Sequence, residues 1–286
     1  MKTEKISPSV VVTTYNSPGF LEMILLSLDL QTCKKFEVIV ADDGSTQDTK
    51  HLIDKLRNTL SYPIQHVWQE NKGFRAAKVR NKGASIAKGN YIIFLDGDCM
   101  VRKTFVERHI NLAESKCMVV GKRILMAEKF SREVLQSKTI ISNWSLWRLV
   151  VAQFRGQINK CFRSIYISNK IPGTNFIRKH FPSNTPSFNF AIWKKDLLSV
   201  NGFDEKFEGW GQEDDDLVYR LKRNGIINKS ALCAIQVFHL WHKQADTAKD
   251  SKNNIRFQNT LNHKNPIFAK HGIKQHLDNN NKTTKK

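Results

Sequence analysis

The chain has 286 residues, 40% of them hydrophobic and 10% aromatic, a composition that excludes a disordered or collagen-like polypeptide. Its 46 Lys and Arg against 26 Asp and Glu leave a formal net charge of +20 at pH 7, which implies a polyanionic partner: nucleic acid, anionic lipid or a phosphorylated substrate. No helix-turn-helix, RNA-recognition or zinc-finger pattern is present, so nucleic acid is the least favoured of the three.

The first 16 residues, MKTEKISPSVVVTTYN, hold no apolar run followed by small residues, and a secretory leader is not expected. Residues 9–14 (SVVVTT) are a β-branched run and predict the first strand, with a turn at Tyr15, Asn16, Ser17, Pro18 and Gly19. Residues 20–30 carry apolar side chains at helical spacing. Residues 36–41 (FEVIVA) predict a second strand, ended by the loop DDGS at 42–45 and followed by a polar helix to about residue 60. Val67 and Trp68 mark a third strand, residues 73–88 a loop feeding a helix, and residues 91–95 (YIIFL) a fully apolar fourth strand that stops at Asp96-Gly97-Asp98. Strands and helices alternating at this spacing predict an α/β fold with a mostly parallel sheet flanked by helices. Ligands of such sheets sit beyond the carboxyl ends of the strands. Tyr15-Asn16, Asp42-Asp43 and Asp96–Asp98 all fall at such ends, so they are expected to converge.

After about residue 103 the alternation is lost. Residues 138–170 read as a helical, basic and aromatic segment, with Trp144, Trp147, Phe154, Phe162 and Tyr166 set among Arg148, Arg155, Lys160 and Arg163. Pro172-Gly173 breaks it, and residues 186–193 (PSFNFAIW) predict another strand. GWGQEDDDL at 209–217 places four acids behind a Trp held between glycines. Leu217, Val218 and Leu221 can share a helical face behind them, with Lys222 and Arg223 in the last turn. Acids suit the start of a helix, but that preference gives no reason for Gly-Trp-Gly. A strand through residues 235–239 ends in His239-Leu-Trp-His242, and the chain beyond about residue 262 is polar, basic and expected to be loosely ordered. The five cysteines (Cys33, Cys99, Cys117, Cys161, Cys233) lack CxxC spacing and are expected to be reduced thiols of a cytoplasmic protein. No apolar run approaches the roughly 20 residues that span a bilayer.

Asp96-Gly97-Asp98 is either a polar β-turn or a pair of oxygen ligands for Mg²⁺ or Mn²⁺, ions that suit a diphosphate. Asp42-Asp43-Gly44-Ser45-Thr46 is either a turn and helix cap or, beside the first pair, part of a nucleotide-sugar pocket. His239 and His242 are structural imidazoles or further metal ligands; because positions three apart on a strand face opposite ways, joint ligation requires a turn beginning at His239.

Taken in order, residues 9–16, 38–46, 71–83 (NKGFRAAKVRNKG), 91–98 (YIIFLDGD) and 201–217 (NGFDEKFEGWGQEDDDL) resemble family-2 glycosyltransferases of the GT-A fold. The last segment is similar to that of galactosyl- and N-acetylgalactosaminyltransferases and of chondroitin-type polymerases. The resemblance covers roughly residues 8–243. It implies Asp214 as general base of an inverting transfer and Glu213 as a hydrogen-bond partner of acceptor hydroxyls. It implies donor contacts from Thr14, Tyr15, Asn16, Asp42, Asp43, Arg75, Arg80 and Asp96, and acceptor contacts from Trp210, Gly211 and Asn189. A Mn²⁺ or Mg²⁺ ion would be held by Asp98 with His242 and then His239. Arg75, Lys78 and Arg80 would neutralise the diphosphate or orient the base; the alternative is a solvated basic helix face.

The expected domain is then a nucleotide-sugar-binding half at 1–103, an acceptor-binding and catalytic half at 104–262 that includes the segment 138–170, and a basic polar tail at 263–286. The donor would be a UDP-hexose or UDP-N-acetylhexosamine, and the acceptor a growing bacterial surface glycan or glycolipid such as lipopolysaccharide or capsule. Residues 140–166 depart from the family's core pattern and read as an interfacial helix on an anionic membrane or as an insertion packed over the active site; the first would make the protein peripheral on the inner face of the cytoplasmic membrane. Two rival functions remain: a nucleotidyltransferase of related fold, which leaves GWGQED without a role, and a non-catalytic basic nucleic-acid-binding protein, whose binding would fall steeply with salt.

Overall fold

The structure, a computed structural model, describes residues 5–181, 189–243 and 251–283. In chain order β1 (Pro8–Thr14) leads to α1 (Pro18–Asp29), β2 (Glu37–Asp42) to α2 (Gln47–Arg57), and β3 (Ile64–Trp68) to α3 (Ala76–Ile86). β4 (Tyr91–Asp96) then runs at once into the short β5 (Cys99–Val101). After them come α4 (Phe105–Leu112), β6 (Cys117–Val120), β7 (Lys122–Leu125), α5 (Glu128–Ser137), α6 (Leu146–Phe154) and α7 (Thr174–His180). The remainder is β8 (Asn189–Trp193), α8 (Lys194–Leu198), α9 (Glu213–Arg223), β9 (Ile227–Ser230), β10 (Gln236–His239), α10 (Ser251–Leu261) and α11 (Ile273–Thr283).

Two sheets carry the fold: a seven-stranded one in the order β3-β2-β1-β4-β8-β6-β9, and a three-stranded one in the order β5-β10-β7. β1 pairs in parallel with both β2 and β4, and β2 with β3, so the expected parallel N-terminal sheet is present. Val10, Val11 and Val12 are all fully buried, because helices cover both faces of a parallel sheet. Alternation sends Val10, Val12, Val38 and Val40 toward α1, and Val11, Ile39 and Ala41 toward α3. Burying one such aliphatic side chain contributes about 1.5–3 kcal/mol. α3 lies unusually near the sheet: a Cβ on Gly83 would stand 2.7 Å from Cγ1 of Val11.

β8 enters antiparallel to both β4 and β6 and joins the two halves of the chain in one sheet. The first three positions of the strand predicted from 186 lie outside the described residues. In the small sheet β10 pairs antiparallel with β5, setting His239 opposite Cys99, next to Asp98.

Two expectations are corrected. The segment 138–170 is not one helix: among its residues only α6 is α-helical, flanked by single 3₁₀ turns at Ile141–Asn143 and Cys161–Ser164. Ser145 caps α6, its side chain accepting from the Arg148 N–H; Gly156 follows its end in a left-handed conformation, and Lys160, also left-handed, leads into the second 3₁₀ turn. The chain beyond 262 is not loose where described. Ala269 and Ile273 are buried, Asn201 donates from Nδ2 to the Ala269 carbonyl at 2.6 Å, and α11 packs beside α3.

Candidate functional site

The carboxyl ends of β1 and β4 open into a cavity of about 430 Å³ whose wall includes Thr14, Tyr15, Asp43, Arg80, Asp96, Asp98 and His242. At its floor Gly97 donates its N–H to the Thr13 carbonyl at 2.8 Å. A Cβ on Gly97 would stand 2.6 Å from that same oxygen, so only glycine lets β4 turn here and present Asp96 and Asp98 together.

Asp98 is the centre of one cluster. Its Oδ2 lies 3.1 Å from Nε2 of His242 and 3.4 Å from Nε2 of His239. β10 ends at His239, and the Leu240 N–H donates to the Asp98 carbonyl at 2.9 Å, which folds the chain so that His242 returns to the same carboxylate. The turn that joint ligation requires is therefore present. One oxygen of Asp98 and one nitrogen from each imidazole lie within 4.8 Å of one another. A carboxylate with two imidazoles fits a divalent transition ion such as Mn²⁺ better than Mg²⁺, which prefers oxygen alone. Burial opposes the charged form of Asp98, but the His242 hydrogen bond and nearby His239 outweigh it and hold its carboxyl below the usual range. The hydrogen bond to Asp98 raises His242 above an ordinary imidazole, whereas burial lowers His239.

Arg80 is the centre of the other. It projects from α3 with only 4% exposure, which removes the solvated-face alternative. Its guanidinium donates to Asp96 Oδ1 at 3.1 Å, to Glu213 Oε1 at 3.1 Å and to Asp214 Oδ1 at 3.3 Å. Glu213 and Asp214 open α9 immediately after Gly209, Gly211 and Gln212, all with positive φ. The sharp reversal of Gly-Trp-Gly-Gln thus aims the helix start at Arg80. Burial pushes the Asp214 carboxyl well above the usual range, Glu213 and Asp96 add to the effect, and Arg80 opposes it. Burial likewise pushes Asp96 up, against Arg80 and with Asp98, to about 6.

The loop after β2 is held by its own acids. Asp42 is buried, accepting from the N–H groups of Gly44 and Ser45 and lying 3.0 Å from His66 Nε2; it does not line the cavity. Asp43 does line it, while accepting from Gln69 Nε2 and from the Arg75 N–H at 2.7 Å. The Arg75 side chain donates to the Glu70 carbonyl, so this residue shapes the loop and does not reach the cavity wall. Asn16 bridges the first loop to the second: its N–H donates to Ser45 Oγ and its Oδ1 accepts from the Thr46 N–H, each at 2.8 Å.

The acceptor-side residues divide. Trp210 is 43% exposed, and Gly211 sits at φ 97° with open space around it. Asn189 is not brought to the site. It is fully buried in β8, 3.0 Å from His109 Nε2, where a Cβ on Gly121 would strike its amide. The four acids also divide: Asp216 is a structural residue, buried and paired at 2.7 Å with Arg220, which donates in turn to the carbonyls of Val200 and Gly202.

Sequence reading missed Phe74, which lines the cavity, together with His66 and Asn71. Phe74 follows a glycine in a loop, where a large apolar side chain has no core to enter, and that was the available signal. Nothing local marks His66, which matters only because β3 lies beside β2.

Comparison with known proteins gives the same order of segments. The family model for glycosyl transferase family 2 matches residues 9–179, and the model described as the N-terminal domain of galactosyltransferase matches residues 173–243. The chain is similar to the hyaluronan synthase of Pasteurella multocida, 29% identical over 271 residues that cover 88% of this chain and 26% of that protein. It is similar to the chondroitin synthase of Escherichia coli, 28% identical over 91% of this chain and 38% of that protein. The chain therefore spans well under half the length of these relatives. Its fold is similar to that of GalNAc-T7, crystallised with UDP, GalNAc and Mn²⁺, with a TM-score of 0.59 at 15% identity over 90% of this chain and 48% of that one.

Proposed function

The chain belongs to glycosyl transferase family 2, and from that premise we propose that it moves a sugar from a UDP-linked donor to a hydroxyl of a growing bacterial surface glycan, with inversion at the anomeric carbon. Asp43, Tyr15 and Thr14 face the nucleoside side of the cavity. Asp98, His239 and His242 hold Mn²⁺ in this reading; when bound, the ion supplies a Lewis acid for the leaving diphosphate. Asp214 accepts the proton of the attacking hydroxyl, and Glu213 hydrogen-bonds the acceptor. A single base suits inversion, since attack and departure then take place on opposite faces of the sugar. Trp210 offers an exposed ring face to an acceptor sugar.

Arg80 positions the base. It fixes Asp214 relative to Asp96 and opposes, without cancelling, the upward push of burial on the Asp214 carboxyl. A buried base with a raised pKa is the stronger proton acceptor, provided it is charged at working pH. Of the two roles expected of Arg80, orienting the base suits its hydrogen bonds to Asp96, Glu213 and Asp214 better than meeting the diphosphate.

One observation carries the reading above its rivals: the start of α9 is tied through Arg80 to Asp96, the end of β4, two residues before Asp98. A nucleotidyltransferase has use for the aspartates but none for Glu213 and Asp214. The test is a donor-hydrolysis and transfer screen of nucleotide sugars with Mn²⁺ and with Mg²⁺, the anomeric configuration of the product being read by NMR. UDP-sugar turnover requiring metal and giving inverted product is expected. Turnover of no nucleotide sugar, or nucleotidyl transfer in its place, overturns the proposal.

A further inference from the structure

From residue 134 to residue 195 the sequence contains no Asp or Glu and ten Lys or Arg. About a fifth of the chain thus supplies half of its net charge. The same stretch carries half of the exposed large apolar side chains among the described residues, all between Leu146 and Phe181. Cationic groups and bare aromatic groups coincide, and the acids that pair with Lys138 and Lys179, Glu22 and Glu114, come from outside the stretch.

They form two clusters. On α6, Trp147 and Phe154, seven residues apart, lie on one helical face and are turned outward, 74% and 87% exposed, with the half-buried Val151 between them. Leu149 and Ala152 anchor the opposite side, and the exposed Arg148 and Arg155 flank the stripe, Arg148 stacking over Trp144 at 4.1 Å. On α7, Ile177 and Phe181 rim an apolar hollow of about 200 Å³ with Ile167 and Leu232. Arg178 holds that hollow open, donating to the carbonyls of Ile167, Ser230 and Leu232.

We propose that these two basic, aromatic clusters bind the surface of an anionic phospholipid bilayer, the aromatic tips entering the acyl boundary and the arginines and lysines meeting headgroup phosphates. Charge complementarity selects the occupant. Aromatic rings and basic side chains side by side are what an interfacial surface needs, and a bilayer accepts two separate apolar prominences where a folded partner would need one matching contour. Among the described residues no helix is long and apolar enough to cross a membrane, so the contact is peripheral. The proposal is independent of glycosyl transfer, since none of these residues lines the catalytic cavity.

The experiment is flotation of the full chain with vesicles of phosphatidylcholine alone or with about one third phosphatidylglycerol, at low and high salt. Parent protein should float with the anionic vesicles only and be released by salt. The pairs W147S/F154S and I177S/F181S should each weaken partitioning by about tenfold or more, with melting temperature and UDP-sugar hydrolysis unchanged. No flotation, equal flotation of parent and both variants, or equal binding to neutral vesicles overturns the proposal. So does self-association without lipid binding, which would assign the face to a second copy of the chain.

Discussion

Arg80 Nη1 lies 3.3 Å from Asp214 Oδ1, and the same guanidinium also meets Glu213 and Asp96. One buried cation faces three carboxylates. The cluster is short of positive charge, and burial and the other carboxylates outweigh Arg80 in raising the pKa of Asp96 and of Asp214.

Asp214→Asn should lower kcat by about 10²–10⁴, the usual contribution of a general base, while donor binding changes little. Its melting temperature at neutral pH should stay level or rise, because Arg80 keeps two carboxylate partners and a costly buried charge is gone. Asp216→Asn, alike in charge and chemistry, should behave in the opposite way. It breaks the buried pair with Arg220, a loss on the order of 3–5 kcal/mol of stability, with activity preserved per folded molecule. Melting curves and transfer rates for both variants check this. Equal loss of activity would return the acids to a common role in starting the helix.

Arg80→Lys keeps a cation but loses the fork that spans α9 and β4. Expected are a lower kcat, a nearly unchanged KM for donor, and a base limb of the pH–rate profile displaced upward, as Asp214 loses part of its compensation. A change in donor KM alone would place Arg80 on the diphosphate.

Asp98→Asn, His239→Ala and His242→Ala should each weaken Mn²⁺ binding, measured by calorimetry or electron paramagnetic resonance. In the parent, a metal ligand must be unprotonated. His242 is raised above the usual value of about 6.5, so Mn²⁺ affinity should fall as pH drops through its raised pKa. Metal binding that is flat between about pH 8 and pH 6 would remove His242 from the ligand set.

Stability should depend on pH through two buried groups of opposite sign. Burial lowers His109 to about 3, against roughly 6.5 in the unfolded chain. Its contribution is present above about 6.5 and is lost as pH falls toward 3. Asp96, raised to about 6, contributes below about 3.9 and loses that contribution as pH rises through 6. Asp214, raised by burial as well, acts in the sense of Asp96, so the His109 contribution is read by comparison: the parent should lose more stability than His109→Gln on acidification from about pH 6.5 to 4. Denaturant midpoints of both proteins across that range test it.

The sequence made the N-terminal half legible because its signals are local. The valines of β1, the apolar run of β4 and the Asp-Gly-Asp that ends it are each read from a few adjacent residues, and the structure places them as expected. Arg80 was recognised as a residue of interest, but its burial depends on α9, 133 residues away, and basic residues on a helix ordinarily face water. Asn189 was assigned to the acceptor by resemblance alone, and a local sequence does not reveal that β8 inserts between two strands and carries this residue inside. The 138–170 segment has helical composition throughout, and composition does not reveal where Ser145 starts a helix and Gly156 stops one. Asp216 looks like its neighbours until the fourth residue after it, Arg220, turns inward to meet it.

The position of β8 also sets the order in which this chain can become a protein during its synthesis. β4 is wholly apolar but for its last residue, and its free edge is covered only when residues 189–193 arrive. Until about a hundred further residues have left the ribosome, a nearly finished parallel sheet waits with an open hydrogen-bonding edge, the form most prone to pair with a neighbouring nascent chain. The donor-side half is therefore not a module that can be cut out and kept. It is a template awaiting a strand from the other half, and the two are bound to mature together.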